Sequence, residues 1–190
     1  MAKKFILCLP LVLSGCGAAI VGGVSSVGFS AVEERGISGV ASDNALRLAL
    51  NFELSNELED FSGIEITIYK GRVLLTGVVA TEKIKKDAVR LSKNVSGVKE
   101  VIDQLRVRGE DGFSEYARDG WMTTKLKAAL YSDEDIIAPN YVITTFDKVI
   151  YVFGTAQTKE EMKLVIDHAR NIKGVKKVVS FVEVLKPQKK

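Results

Sequence analysis

Cysteine is nearly absent from this sequence: its 190 residues hold Cys8 and Cys16 and no other. Both lie close to the N-terminus, so the remainder of the chain has no thiol for a disulfide, a thiolate nucleophile or a cysteine metal site. Histidine is scarcer still, with His168 alone. General acid-base work needs a positioned partner, and no nucleophile stands near His168 in the sequence, so a surface or packing role is expected. No apolar run approaches the roughly 20 residues that a bilayer-crossing helix requires. An excess of one charge is missing too. With Lys3 and Lys4 set aside, 25 basic residues face 24 acidic ones. Neither half of the chain carries a basic stripe, so no nucleic-acid partner is expected. Phosphate loops, dinucleotide fingerprints, zinc-protease motifs and serine-hydrolase elbows are absent. Asp133-Glu134-Asp135 lacks the spaced ligands and the glycine of a calcium loop and reads as solvated. No cofactor, no metal and no enzymatic activity are therefore expected.

What is present begins with a patterned N-terminus. Lys3 and Lys4 precede an apolar run from Phe5 to Leu13, and Ser14-Gly15 place small residues directly before Cys16. That order is the order of a secretory signal, here spanning residues 1–15. Leu13-Ser14-Gly15-Cys16 resembles a bacterial lipobox, which implies cleavage before Cys16 and fatty-acyl chains such as palmitate on it. At about 0.8 kcal/mol per buried CH₂, several chains hold a soluble domain on a bilayer. Gly17 after the lipidated cysteine, in place of Asp, implies the outer membrane. Residues 16–41 are rich in Gly, Ala, Ser and Val without a sustained period, and read as a flexible tether.

The rest of the chain repeats. A shift of 77 residues superposes Ile66 on Ile143, Gly77 on Gly154, Thr81 on Thr158, Gly97-Val98 on Gly174-Val175 and Val107 on Val184. A shift of 76 superposes Leu46, Leu50 and Leu54 on Met122, Leu126 and Leu130. Each copy predicts a helix, with Asp43 or Asp119 as candidate N-cap, then two alternating strands joined by Lys70-Gly71 or Asp147-Lys148. A second helix opens at Thr81 or Thr158 and closes at Gly97 or Gly174, and a last strand follows. The expected fold class is α+β: two αββαβ domains at 42–109 and 114–186, each a three-stranded mixed sheet with two helices on one face. Units this small are marginally stable alone, so the copies are expected to pack together.

The αββαβ order, the strand ends Gly77-Val78-Val79 and Gly154-Thr155-Ala156, and the pairs Gly97-Val98 and Gly174-Val175 resemble the BON domain of bacterial envelope proteins. With a lipobox and two copies, the chain is similar to that family's outer-membrane lipoproteins. The run Trp121-Met122-Thr123-Thr124-Lys125 resembles theirs as well. The resemblance implies a lipid-anchored protein on the periplasmic face of the outer membrane, associated with cell division and envelope integrity. It further implies binding of anionic phospholipid, chiefly phosphatidylglycerol, through the first helix of the second domain.

That helix can also be read on its own residues. At 100° per residue Met122, Leu126, Ala129 and Leu130 share one stripe, which is the expected core face. Trp121, Thr124, Ala128 and Tyr131 gather on the far side, flanked by Lys125 and Lys127, with Arg118 just before. An indole and a phenol between ammonium groups suit the headgroup region of an anionic bilayer. A lone Trp near a helix start also packs commonly against a neighbouring element. In the first copy Ala45, Leu48 and Phe52 occupy the corresponding side without lysines, which predicts that the other domain or a partner covers it. A protein-interaction scaffold, serving outer-membrane assembly or cell-wall remodelling through an envelope protein partner, is the alternative function. Three lysines in 186–190 read as a solvated tail.

Overall fold

A computed structural model describes residues 36–108 and 116–186; the signal segment, Cys16, the start expected for the second domain at residue 114, and the end of the lysine tail lie outside them. The first half comprises α1 (Gly36–Glu57), β1 (Ile64–Tyr69), β2 (Arg72–Val79), α2 (Glu82–Asn94) and β3 (Glu100–Val107). The second comprises α3 (Tyr116–Ser132), a short 3-10 turn (Ala138–Asn140), β4 (Tyr141–Phe146), β5 (Val149–Ala156), α4 (Lys159–Arg170) and β6 (Lys177–Val184). In each half the middle strand pairs antiparallel with the strand before it and parallel with the strand after the helix. The class is therefore α+β with two three-stranded mixed sheets.

Local chemistry accounts for the element ends. The Thr81 hydroxyl accepts from the Ile84 N–H at 3.2 Å, and Thr158 accepts from Glu161 at 3.0 Å, so both threonines cap as expected. The hairpin turns hold Lys70, Gly71, Asp147 and Lys148 at positive φ, the conformation that a two-residue connection between twisted strands requires. Gly77 is irreplaceable for a different reason: at φ 117, a Cβ there would sit 2.0 Å from the Gly63 carbonyl oxygen. Two sequence expectations fail at the helix ends. α2 and α4 stop at caps Val95 and Asn171, so Gly97 and Gly174 turn the chain only afterwards. α1 begins at Gly36, so residues 36–41 are helical despite Gly36 and Gly39. The cost of roughly 1 kcal/mol per helical glycine is outweighed by the continuous run of strong formers that follows, Ala45 to Leu50.

Each sheet has two dissimilar faces, and both are covered. On one face Leu46, Leu50 and Leu54 of α1 and Ile84, Ala88 and Leu91 of α2 meet Ile66, Val73 and Leu75. Leu126 and Leu130 of α3 and Val165 and Ala169 of α4 do the same over Ile143, Ile150 and Val152. The opposite faces of the two sheets pack on each other, through Tyr69 and Leu74 from the first and Phe146, Tyr151 and Phe153 from the second. That explains why the middle strands are buried almost end to end, where a half-exposed strand would alternate. The copies do pack together, and they use their sheets to do it. Consequently the helix pairs form the two outer layers, and the free sides of α1 and α3 look in opposite directions.

Candidate functional site

The rotation of α3 about its own axis decides what it presents to solvent, and three contacts set it. Met122, Leu126 and Leu130 are fully buried against the second sheet, as their spacing predicts. The Thr123 hydroxyl donates to Thr145 Oγ1 on β4 at 2.8 Å. Asp119 is buried, and its carboxylate accepts from the N–H groups of Asp147 at 2.7 Å and Lys148 at 2.9 Å. Asp43 does the same in the first domain, accepting from Lys70 at 2.7 Å and Gly71 at 3.0 Å. Neither aspartate is an N-cap, which corrects the sequence expectation: the helices start earlier, at Gly36 and Tyr116. The acids instead hold the hairpin turns, whose left-handed backbone points two adjacent N–H donors at one acceptor. Their matching places in the repeat were visible in the sequence; the spatial approach of helix and turn was not.

With the core side so fixed, Trp121 is 46% exposed and Tyr131 55% exposed. Thr124, Lys125, Lys127 and Ala128 are exposed between them, and Arg118 one turn earlier. The eleven residues from Trp121 to Tyr131 span about 15 Å of helix. Lys125 Nζ lies 5.8 Å from the centroid of the Trp121 ring, a cation-π contact that keeps the ammonium beside the indole. The Thr124 hydroxyl donates to the Gly120 carbonyl at 2.9 Å. The only acidic residue of α3 is the buried Asp119, so its outward side carries basic groups without a competing carboxylate of its own.

Beside the C-terminal half of α3 lies a groove of about 120 Å³, lined by Lys127, Leu130, Tyr131, Ala138, Pro139, Tyr141 and Ile143. The sequence reading missed it. Its floor depends on the 3-10 turn, which the first domain lacks, and Pro139 in the second copy alone was the available signal. Burial, and after it the neighbouring Glu161 carboxylate, raise the Tyr141 phenol well above its ordinary range, so it stays protonated.

In the first domain the matching side of α1 is open, with Leu48 72% and Phe52 70% exposed and Ala45 exposed beside them. The expectation that the other domain covers this side is overturned, because that domain sits on the far face of the sheet. His168 is also more engaged than expected: its Nε2 lies 2.7 Å from Asp133 Oδ2, and that hydrogen bond holds the Asp133 carboxyl below its usual range. Among the described residues no group of three or more potential ligands converges on a metal site, and no helix is long and apolar enough to cross a membrane.

The BON-domain profile matches residues 42–109 and again 118–186. The chain belongs to the BON-domain family. It is 30% identical over 191 residues to the outer membrane lipoprotein DolP of Haemophilus influenzae, covering 96% of each protein. It is 32% identical over 108 residues to the osmotically-inducible protein Y of Escherichia coli, covering 56% of this chain and 54% of that one. Among solved structures, CdsD of the Chlamydia trachomatis type III secretion system superposes with a TM-score of 0.31 at 14% identity, over 72% of this chain and 92% of that one. Two BON domains and end-to-end similarity to an outer membrane lipoprotein support an envelope-associated function for this chain.

Proposed function

We propose that this chain is anchored through Cys16 to the periplasmic face of the outer membrane, binds anionic phospholipid, chiefly phosphatidylglycerol, through α3, and so supports envelope integrity. The observation that carries the reading is the outward side of α3: Trp121 and Tyr131 exposed, with Lys125, Lys127 and Arg118 around them. Indole and phenol rings partition to the boundary between headgroup and acyl chain, where one end is dry and the other wet. Each lysine close to an anionic leaflet adds on the order of 1 kcal/mol, reduced by salt. Such contact is weak alone. It becomes effective because acyl chains on Cys16 hold the domain at high local concentration over the same surface. Thr124 and Ala128, small and uncharged between the rings, let the helix lie close to the bilayer.

The test is an NMR titration of the non-acylated protein with phosphatidylglycerol or phosphatidylcholine micelles. Shifts are expected at Trp121, Lys125, Lys127 and Tyr131 with the anionic lipid, and Trp121→Ala is expected to weaken them without unfolding the domain. Equal shifts with both lipids, or none along α3, would contradict the reading.

A protein-binding role has its own supporting observation, the exposed Leu48 and Phe52 on the opposite side of the molecule. No lysine borders them, and the guanidinium of Arg47, next to Leu48, donates to the Ile66 carbonyl, so a protein surface suits them better than an anionic membrane. Crosslinking from Phe52 in intact cells is expected to yield a defined protein adduct if this second surface operates, and only lipid or solvent products if it does not.

A further inference from the structure

Residues 77 positions apart occupy the same place in the two domains, and at the interface Thr67 Oγ1 meets its own counterpart, Thr144 Oγ1, at 2.8 Å. The sheets are therefore related as if by a two-fold axis through that contact. Around such an axis every other contact occurs twice, with the domains exchanged. Lys70 corresponds to Asp147 at the hairpin turns, and Arg106 corresponds to Glu183 on the third strands. Across the interface Lys70 Nζ pairs with Glu183 at 3.6 Å, and Arg106 pairs with Asp147 at 2.5 Å. These are the same contact made twice with every charge reversed.

The apolar partners are unequal in the same way. Leu74, Thr76 and Gln104 of the first domain stand where Tyr151, Phe153 and Phe181 stand in the second. Large therefore meets small or polar: the Tyr151 hydroxyl donates to Gln104 Oε1 at 2.7 Å, and Phe153 and Phe181, stacked on each other within the second domain, lie under the Arg72 guanidinium of the first, 4.8 Å from the Phe181 centroid. Two second-domain faces would bring these aromatics against one another, and two first-domain faces would leave a gap lined by Thr76 and Gln104. Overpacking and cavities both destabilise.

We propose that the sheet face of each domain is a selective recognition surface whose fitting partner is the other domain type, and which rejects a copy of itself. A like pair of first domains would set Lys70 against Arg106; a like pair of second domains would set Asp147 against Glu183. Like charges at half-exposed sites repel by about as much as the opposite pairs attract, so charge and volume select the same pairing. The surface thus favours pairing of unlike halves when several copies crowd together, and it does so whether or not α3 binds lipid.

The test uses exchanges that leave net charge unchanged. Lys70→Asp with Asp147→Lys places Asp beside Glu183 and Lys beside Arg106, which recreates within one chain the charge contacts of the like pairs. Adding Arg106→Glu and Glu183→Arg restores opposite charges at both contacts. Asp147 also pairs with Lys176 in its own domain at 3.2 Å, and that contact is lost equally in both variants, so the difference between them reads the interface. The double variant is expected to melt about 5 °C below the quadruple one at low salt, with the gap closing as salt rises. Nuclear Overhauser contacts between Tyr151 and Gln104 should weaken in the double variant and return in the quadruple. Equal melting temperatures and equal contacts in the two variants would overturn the proposal, as would a gap indifferent to salt.

Discussion

Asp43 and Asp119 show how one residue type can satisfy two different local rules. An acid near a helix start caps N–H groups of its own helix in many proteins. Here the same oxygens reach two N–H groups of a hairpin turn instead. Removing Asp43 strands two donors in a buried place, and Asp43→Ala is expected to cost about 3 kcal/mol in urea unfolding, against a few tenths for an exposed acid such as Glu57. Tyr151 gives a prediction in pH. Burial pushes its phenol up to about 12, with Arg106 opposing and Asp147 assisting. The unfolded phenol titrates near 10. Between those values the unfolded chain has released the proton that the folded one keeps, so stability is full below pH 10 and falls as pH rises towards 12. Tyr151→Phe is expected to flatten that part of the alkaline unfolding profile, measured by circular dichroism.

At the scale of elements, periodicity carried most of the information. The 3.6-residue spacing of Met122, Leu126 and Leu130 fixed the buried side of α3, and with it the outward placement of Trp121 and Tyr131. The threonine caps of α2 and α4 were equally legible, because a cap is a contact within four residues. Features that depend on distant chain segments were not. The start of α1 at Gly36 contradicts local composition, and the groove beside Tyr131 arises from a 3-10 turn that has no counterpart in the first copy. For α3 the expected electrostatics are direct: Lys125→Glu with Lys127→Glu should reduce pelleting with phosphatidylglycerol vesicles by about tenfold or more at low salt. The same change should leave the melting temperature within about 2 °C, since both side chains are exposed.

Across the whole molecule, the repeat predicted that the copies pack but not which faces they use. Both faces of the middle strands β2 and β5 are largely apolar, and a sequence does not say which is covered by helices and which by the other domain. The answer, sheet on sheet, sends the helix pairs to opposite outer layers. It leaves the outward side of α3 open to solvent, with Leu48 and Phe52 exposed on the other outer layer. Because Trp121 is the sole tryptophan, its fluorescence reports on that surface without labelling. The most direct measurement is its emission as phosphatidylglycerol or phosphatidylcholine vesicles are added, with brominated acyl chains as quencher. A blue shift and quenching with the anionic vesicles alone, reversed by salt, is the predicted result; an unchanged spectrum with both would contradict the account.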